Sequence, residues 1–358
     1  MKLGYFTMPL HPVGRDWRKT LEEDREAVLL AERLGFEEAF IGEHITDLAE
    51  TITSCLIFIA TLARDTRRIK LGSGTVNLAN RHPAATAAEI AMVDTLLEGR
   101  FILGVGPGGL LSDAEMMQTM DEDRNAIFVE AMDHIIALWT QEPPYRLRGR
   151  RWNLTTERTW TPDLGMGGML KPFQKPHPPI VITAILPSSN GIAAAAERGW
   201  TPVSANFVHP WVIKTHWSKY AEGCARGGRA ARPEDWRVAK SIFVGDDDAA
   251  VRRMISAPGN PFAYYFRNLQ RKAQRTRGNA FFKHDPAVPD EAITDDYLVS
   301  QLLIAGTANE VADKLLAFRE HIGPFGTLLY VGHDWSDPAA MRRSMELMAE
   351  KVLPQLPS

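Results

Sequence analysis

The chain has little of several features that mark particular protein classes. Its only two cysteines, Cys55 and Cys224, are far apart and show neither CxxC nor Cys/His spacing, which excludes a zinc finger and fits a reducing compartment. No apolar run approaches the roughly 18 residues that a membrane span needs, and the proline-interrupted amino terminus does not read as a signal peptide. The net charge of −3 argues against nucleic acid or an anionic membrane as the main partner. We therefore expect a cytoplasmic globular protein.

What is present is a regular alternation of short apolar runs and helical patterns. The 358 residues are 45% hydrophobic and 24% charged, which is enough to build a large core. The alternation favours an α/β protein with a parallel sheet and crossover helices. Eight strands are predicted near Lys2–Thr7, Glu38–Gly42, Ile69–Gly74, Phe101–Val105, Ile180–Thr183, Pro202–Ala205, Val238–Val244 and Gly326–Val331. Eight is the count of a (β/α)₈ TIM barrel, although a doubly wound open sheet shows the same alternation.

Two segments interrupt this alternation. Residues 143–179 are rich in proline, glycine, arginine and tryptophan, and residues 260–297 contain Tyr264-Tyr265-Phe266 followed by a basic stretch. Long insertions in compact domains are usually lids or binding loops. Neither segment looks like a separate domain. We therefore predict one domain over residues 1–358 with two elaborated loops.

Histidines follow two consecutive predicted strands. His44 comes just after the strand that ends at Gly42, and His82 comes after the next strand and a short polar loop. In a barrel both side chains would face one cavity, where histidine can serve as acid, base or hydrogen-bond donor. There is no HxH or HExxH motif, so no metal is expected. A structural Glu43–His44 pair is the alternative.

Two further segments are candidates for binding a cofactor. The cluster Gly104-Val105-Gly106-Pro107-Gly108-Gly109 ends a predicted strand and leaves the backbone bare, so that a flat ring could lie against it. It lacks the context of a dinucleotide fingerprint, and a plain glycine-rich turn is the alternative. Ser188 and Ser189 precede an alanine-rich helix, where they could bind phosphate or simply cap the helix.

These motifs together resemble the bacterial luciferase-like flavin-dependent monooxygenases. The resemblance is most specific in MKLGYF, LGFEEAFIGEH, IKLGSGTVNL and RHPAATAAEIAMVDTLLEGRFILGVGPG, and looser in PPIVITAILPSSNGIAAAAERGW and LIAGTANEVADKL. It covers Met1 to about Gly199 and again Leu303 to Leu356. It implies a TIM barrel that binds FMN or a deazaflavin at the carboxyl ends of its strands.

The resemblance also implies roles for single residues. His44 matches the catalytic histidine beside the reactive flavin carbon, and Gly74-Thr75 matches the site of a cis peptide under the ring. By the same analogy, the other cofactor-binding positions are Asn77, His82, Gly106, Asp113, Ser188 and Ser189.

The activity implied is that of a two-component oxygenase. A separate NAD(P)H:flavin reductase would supply reduced FMN, which forms a peroxyflavin with O₂ and oxygenates a small organic substrate. The LKPFQKPHPPI ending of the 143–179 segment is closest to monooxygenases of cyclic, terpenoid or heterocyclic compounds. A homodimer is usual in the family.

The chain departs from bacterial luciferase itself at three positions. Gly106 stands where luciferase has a reactive cysteine, Pro107 where it has a phosphate-binding arginine, and Ile45 where it has a second histidine. Light emission is therefore not expected. Two other functions stay open: hydride transfer by a deazaflavin-dependent oxidoreductase, and a non-catalytic flavin-binding protein.

Overall fold

The computed structural model describes residues 1–276 and 278–357 as alternating strands and helices. The strands are β1 Lys2–Thr7, β2 Glu38–Ile41, β3 Lys70–Ser73, β4 Val76–Asn77, β5 Phe101–Gly106, β6 Arg146–Arg148, β7 Asn153–Thr155, β8 Ile180–Ala184, β9 Thr201–Ser204, β10 Arg237–Val244, β11 Leu303–Gly306 and β12 Thr327–Val331. The helices are α1 Trp17–Arg33, α2 Cys55–Leu62, α3 Pro83–Leu96, α4 Leu111–Met116, α5 Arg124–Thr140, α6 Asn190–Glu197, α7 Pro210–Arg226, α8 Asp248–Ile255, α9 Pro261–Gln274, α10 Asp295–Leu302, α11 Ala308–Ile322 and α12 Pro338–Leu347.

Eight parallel strands close into a barrel. The order is β1-β2-β3-β5-β8-β9-β10-β12, and β12 pairs back onto β1 with Lys2 opposite Thr327. The short β4 pairs with β5 beyond the end of β3, and β11 pairs with the last half of β10. All eight predicted strands lie in this ring. The TIM barrel is confirmed, and the open doubly wound sheet is excluded.

The interior of the barrel is filled by alternate side chains of its strands. The residues that share this interior cluster are Phe6, Phe40, Ile102, Val181, Val203, Ala239, Leu329 and Val331. Period-two alternation in the strands places them there, while the intervening residues pack against the surrounding helices. At the amino-terminal end, Arg237 Nε lies 2.6 Å from Glu38 Oε1, and this ion pair closes the floor. The carboxyl ends of the strands form the opposite opening, which we call the mouth.

The two insertions differ from the predicted loops. Residues 143–179 form the β6-β7 hairpin and a Pro-rich return, fixed to α3 where Gln174 Nε2 donates to Asp94 Oδ1 at 2.7 Å. The loop predicted over residues 260–297 is wrong for Pro261–Gln274, which is helix α9. The Asn260 side chain accepts from Ala263 N at 2.9 Å, and Pro261 occupies the first helical position. Both are standard helix-start signals.

No described helix has the length and apolar character required to cross a membrane. Thr307 and Glu310 form a reciprocal capping box at the start of α11.

Candidate active site

His44 lies just after β2 and is fixed by a buried carboxylate. Its Nδ1 is 2.9 Å from Asp113 Oδ2, and its backbone N–H donates to Ile52 O at 3.2 Å. Asp113 comes from α4, which follows the glycine cluster after β5. The two residues are 69 positions apart in the sequence, and the barrel brings them together because the loops after its parallel strands meet at the mouth.

Asp113 is surrounded by hydrogen-bond donors. Its Oδ1 accepts from Ile45 N at 3.1 Å, from Thr46 N at 2.8 Å and from Thr46 Oγ1 at 2.6 Å. Burial acts to raise the pKa of Asp113, but the hydrogen bonds from His44 and Thr46 outweigh it and the pKa is lowered. An ionised Asp113 accepts a hydrogen bond from Nδ1–H of His44. The other ring nitrogen, Nε2, is then the one that gains or loses a proton.

A second carboxylate faces this other nitrogen. Glu50 Oε2 lies 3.5 Å from His44 Nε2, and Glu50 Oε1 accepts from Lys272 Nζ at 2.6 Å. Lys272 also pairs with Asp47. Burial acts to lower the pKa of His44, but the charges of Glu50 and Asp113 outweigh it and the pKa is raised. The imidazole therefore lies between two carboxylates that favour its protonated form.

Glu43 points away from this cluster and supports the next loop. Its Oε2 accepts from Cys55 N at 3.0 Å, and its Oε1 accepts from Asn77 N at 3.3 Å. Asn77 in turn donates from Nδ2 to Glu43 O at 3.3 Å and accepts from Thr75 Oγ1 at 3.2 Å. The Gly74–Thr75 peptide is cis, as predicted. Glu43 therefore positions Asn77 and Thr75, while its neighbour His44 turns into the mouth.

The glycine cluster keeps one side of the mouth clear. A Cβ on Gly106 would lie 3.1 Å from Thr75 Oγ1. Gly108 has a backbone φ of +83°, a conformation that residues other than glycine rarely adopt. Gly74, Thr75 and Gly106 are half-buried although they lie at strand ends, and Thr183 of β8 is exposed. We call this side, formed by the ends of β2, β3, β5 and β8, the open half of the mouth.

The predicted phosphate site lies at the start of α6. Ser189 is the N-cap residue but makes no capping hydrogen bond with its side chain among the described residues. Ser188 N donates to Thr215 Oγ1 at 2.9 Å. Across the adjoining loop, Arg124 Nη1 donates to Gly108 O at 3.2 Å, which places a cation at the glycine cluster. Because β5 and β8 are neighbours, the loops that carry these groups are adjacent.

His82 does not join the His44 cluster. It is exposed at the N-cap of α3, and its ring lies 6.3 Å from that of Trp152 in an edge-on arrangement. The predicted convergence of the two histidines is thus not found in the contacts of the described residues. The polar loop between the strand and His82 includes β4 and a short 3₁₀ turn, which carry the chain away before α3 begins.

The opposite side of the mouth is covered by α9. Tyr265 OH donates to Asn206 Oδ1 at 3.2 Å, Asn206 Nδ2 donates to Ser241 Oγ at 2.9 Å, and His333 Nε2 lies 2.9 Å from the same Ser241 Oγ. The ring of His333 packs edge-on against those of Phe262 and Tyr265. Burial lowers the pKa of His333 to about 3, so this histidine is neutral. We call this side, at the ends of β9, β10 and β12, the covered half.

One group in the described residues has the composition of a metal site. Potential ligand atoms of His11, Glu23 and Asp334 lie close together, after β1, within α1 and after β12. However, the Arg15 guanidinium forms ion pairs with both carboxylates. A guanidinium between the acids supplies the positive charge that an ion would supply, so we assign the group to a charge network.

Comparison with known proteins identifies the family. The family model described as luciferase-like monooxygenase matches residues 1–323. The chain belongs to this family. This luciferase-like monooxygenase is 30% identical to 4-hydroxyprotoasukamycin monooxygenase of Streptomyces nodosus subsp. asukaensis, over 99% of this chain and 92% of that one. It is 28% identical to limonene 1,2-monooxygenase of Rhodococcus erythropolis, over 98% and 85% of the two chains.

A solved structure gives the same result for the whole chain. The oxygenating constituent of 3,6-diketocamphane monooxygenase from Pseudomonas putida, a type II Baeyer-Villiger monooxygenase in complex with FMN, superimposes with a TM-score of 0.87. The two are 26% identical, and the match covers 100% of the luciferase-like chain and 99% of the other. The predicted family, fold and enzyme class are confirmed.

Sequence reasoning gave no role to four residues of this site. Glu50 and Lys272 are 222 residues apart, so no local pattern connects them. Arg124 lies in none of the quoted motifs, and Thr183 was predicted only as the last residue of a strand. The signal that could have found Thr183 is its polarity at the end of an otherwise apolar barrel strand.

Proposed function

We propose that this protein is the oxygenase component of a two-component system, which uses reduced FMN and O₂ to oxygenate a small cyclic organic substrate. One observation carries the proposal. A histidine held between two carboxylates, His44, lies at the half of the barrel mouth that is kept clear of side chains. This arrangement provides a proton-handling group beside a space that fits a flat ring.

The open half fits FMN. Gly74, Thr75 and Gly106 offer bare backbone and one hydroxyl for the ring, and Asn77 is held beside them by Glu43. The hydroxyl of Ser189, which makes no capping hydrogen bond among the described residues, and the backbone N–H groups at the start of α6 suit a phosphate.

Ser188 and Arg124 complete this phosphate site. The Arg124 guanidinium supplies the charge that Pro107 cannot, since Pro107 stands where luciferase has its arginine. The role of His82 stays a prediction.

The residues of the chain handle the protons of the reaction. Reduced FMN, when bound, supplies the two electrons that activate O₂; one oxygen atom enters the substrate and the other leaves as water. His44 donates or accepts a proton at Nε2, while Asp113 fixes the ring through Nδ1. The aromatic side chains of α9 pack over the covered half and keep water out of it.

Two partners follow from the proposal. A separate NAD(P)H:flavin reductase supplies reduced FMN, in line with the relative described as an oxygenating constituent. A second copy of the chain packs against α2 and α3, which contact each other and expose large apolar side chains. Ile57 of α2 and Met92 of α3 are 71% and 66% exposed in the single chain, as expected for a face that a homodimer covers.

Anaerobic stopped-flow mixing tests the proposal. The protein is mixed with photoreduced FMN and then with O₂, in the presence of 3,6-diketocamphane or limonene as the probe substrate. We expect a transient absorbance that outlives the oxidation of free flavin, and a product that carries one ¹⁸O atom from ¹⁸O₂.

The same experiment separates the alternatives. Free-flavin kinetics with no product, together with hydride transfer from a tightly bound reduced deazaflavin, would overturn the proposal in favour of a deazaflavin-dependent oxidoreductase. Tight FMN binding without turnover of either cofactor would indicate a non-catalytic flavin-binding protein.

A further inference from the structure

We infer that Glu50, restrained by Lys272 of the insertion helix α9, is the positioning residue that holds the Nε2 proton of His44. The importance of this role for turnover rests on the function proposed above. The contacts themselves are independent of any cofactor.

The Glu50 carboxylate has one oxygen left for His44. The residue is 3% exposed, and its Oε2 has no hydrogen-bond partner among the described residues. This oxygen lies 3.5 Å from His44 Nε2, so a small movement of either side chain makes a charge-assisted hydrogen bond. A buried carboxylate oxygen without a donor is costly, and the imidazolium N–H is the donor that can satisfy it.

Lys272 determines which oxygen of Glu50 is available. Its Nζ lies 2.6 Å from Glu50 Oε1, and it also pairs with Asp47. Asp47 in turn orders its own loop, because Asp47 Oδ1 accepts from Ala49 N at 2.9 Å and Asp47 O accepts from Glu50 N at 3.2 Å. The lysine therefore fixes the 47–50 loop with Oε2 directed at His44.

The charges around His44 predict that two substitutions shift its pKa in opposite directions. The groups that face it are Asp113 from α4, Glu50 and Asp47 from its own loop, and Lys272 from α9. Both Asp113 and Glu50 favour the imidazolium, whereas the positive charge of Lys272 disfavours it. Removing the Glu50 charge must lower the pKa of His44. Removing the Lys272 charge must raise it while Glu50 stays ionised.

These signs distinguish positioning from a merely structural role. Loosening of the loop alone would move the His44 pKa in the same direction for either variant. The contacts also give α9 a second function, because the helix that carries Tyr265 over the covered half carries Lys272 to the open half.

The test is a histidine NMR titration of the full-length, flavin-free protein. The His44 resonance is assigned with His44→Gln, and its pKa is measured in wild type, Glu50→Gln, Lys272→Met and Lys272→Arg. We expect a fall of about one unit in Glu50→Gln, in keeping with the effect of a single charge at this range. We expect a rise in Lys272→Met that Lys272→Arg reverses. Exposed Arg271, one residue earlier on α9, gives the control Arg271→Met, which should leave the pKa unchanged.

The possible outcomes each decide a separate point. An unchanged His44 pKa in Glu50→Gln overturns the role of Glu50, and a fall or no change in Lys272→Met overturns that of Lys272. If both shifts occur but no substrate is oxygenated with reduced FMN, the inference stands and the proposed function fails. If oxygenation occurs without the pKa shifts, the proposed function stands and the inference fails.

Discussion

In both halves of the barrel mouth, parallel strands end in loops. The halves differ in whether another element covers those strand ends. In the open half, the strand ends carry glycine, threonine and a half-buried His44. In the covered half, the polar chain through Asn206, Ser241 and His333 is sealed beneath the aromatic residues of α9. The polar groups of the open half are accessible to a ligand, whereas those of the covered half form hydrogen bonds with one another.

This difference shows how one insertion can divide a symmetric opening. A barrel has no preferred side until a loop covers part of its mouth. In this protein α9 covers the ends of β9, β10 and β12 and leaves the ends of β2, β3, β5 and β8 accessible. Substitutions in the open half should therefore change binding and chemistry, and substitutions in the covered half should change stability.

The largest effect is expected for His44→Ala. Loss of a positioned proton donor typically costs roughly 100- to 10,000-fold in rate, and we expect a loss of this size in product formed per reduced FMN. Hydrogen peroxide should rise to account for the missing product. The measurement is product by mass spectrometry together with peroxide by a coupled assay. Unaltered coupling would show that the open half is not where the chemistry occurs.

Adding a side chain to the glycine cluster should have the next largest effect. In Gly106→Val the new side chain meets Thr75, so we expect FMN to bind roughly tenfold to a hundredfold more weakly, with Gly106→Ala intermediate. Fluorescence titration gives the dissociation constant, and urea unfolding checks that each variant is folded. Equal affinity across the series would mean that the flavin lies elsewhere.

In the covered half, Tyr265→Phe should reduce stability and leave FMN affinity unchanged. It removes the donor to Asn206 Oδ1 and leaves a buried acceptor unpaired, which costs about 1–2 kcal/mol. Tyr264→Phe on the same helix is the matched control, because its hydroxyl makes a longer, partly buried bond to His11 O. Urea unfolding measures both. A weaker FMN complex in Tyr265→Phe would contradict the division between the halves.

The smallest effect concerns pH. The pKa of His333 is lowered to about 3 by burial, so the folded state excludes a proton that the unfolded chain binds below about pH 6.5. The stabilising effect of a neutral His333 is therefore complete above that pH and is lost as the pH falls from 6.5 towards 3.

Substitution isolates this contribution. Between pH 7.5 and 5.5, wild type should lose about 1.4 kcal/mol more unfolding free energy than His333→Gln, which cannot titrate. Exposed His321→Gln should follow wild type. Parallel losses in all three proteins would show that His333 does not drive the acid sensitivity.

Much of the barrel was predictable from local patterns, and most of the site was not. The strands were readable because apolar runs ended in polar or glycine-rich loops, as at Gly104–Gly109. His44, Asp113 and the cis peptide at Gly74 came from resemblance to a family, and the structure places His44 and Asp113 in contact. Family comparison worked there because the motifs are contiguous.

The rest could not be predicted because it depends on distant contacts. Glu50 and Lys272 are far apart in the sequence and meet only after the barrel has closed. Among the described residues His82 does not contact His44, because the chain turns away through β4, a two-residue strand too short to give a sequence pattern. Helix α9 is different, since Asn260-Pro261 is a readable start signal that its aromatic and basic residues obscured.

The ion pairs from Lys272 to Asp47 and Glu50 have a consequence for protein engineering. Exchanging the 260–297 segment for that of a relative is an obvious route to a new substrate range, because it replaces the helix that covers part of the barrel mouth. The same exchange would also replace the cation that faces the loop after β2. A chimera would thus inherit its donor's pH profile along with its pocket shape, unless the donor segment carries a lysine at the matching helical position.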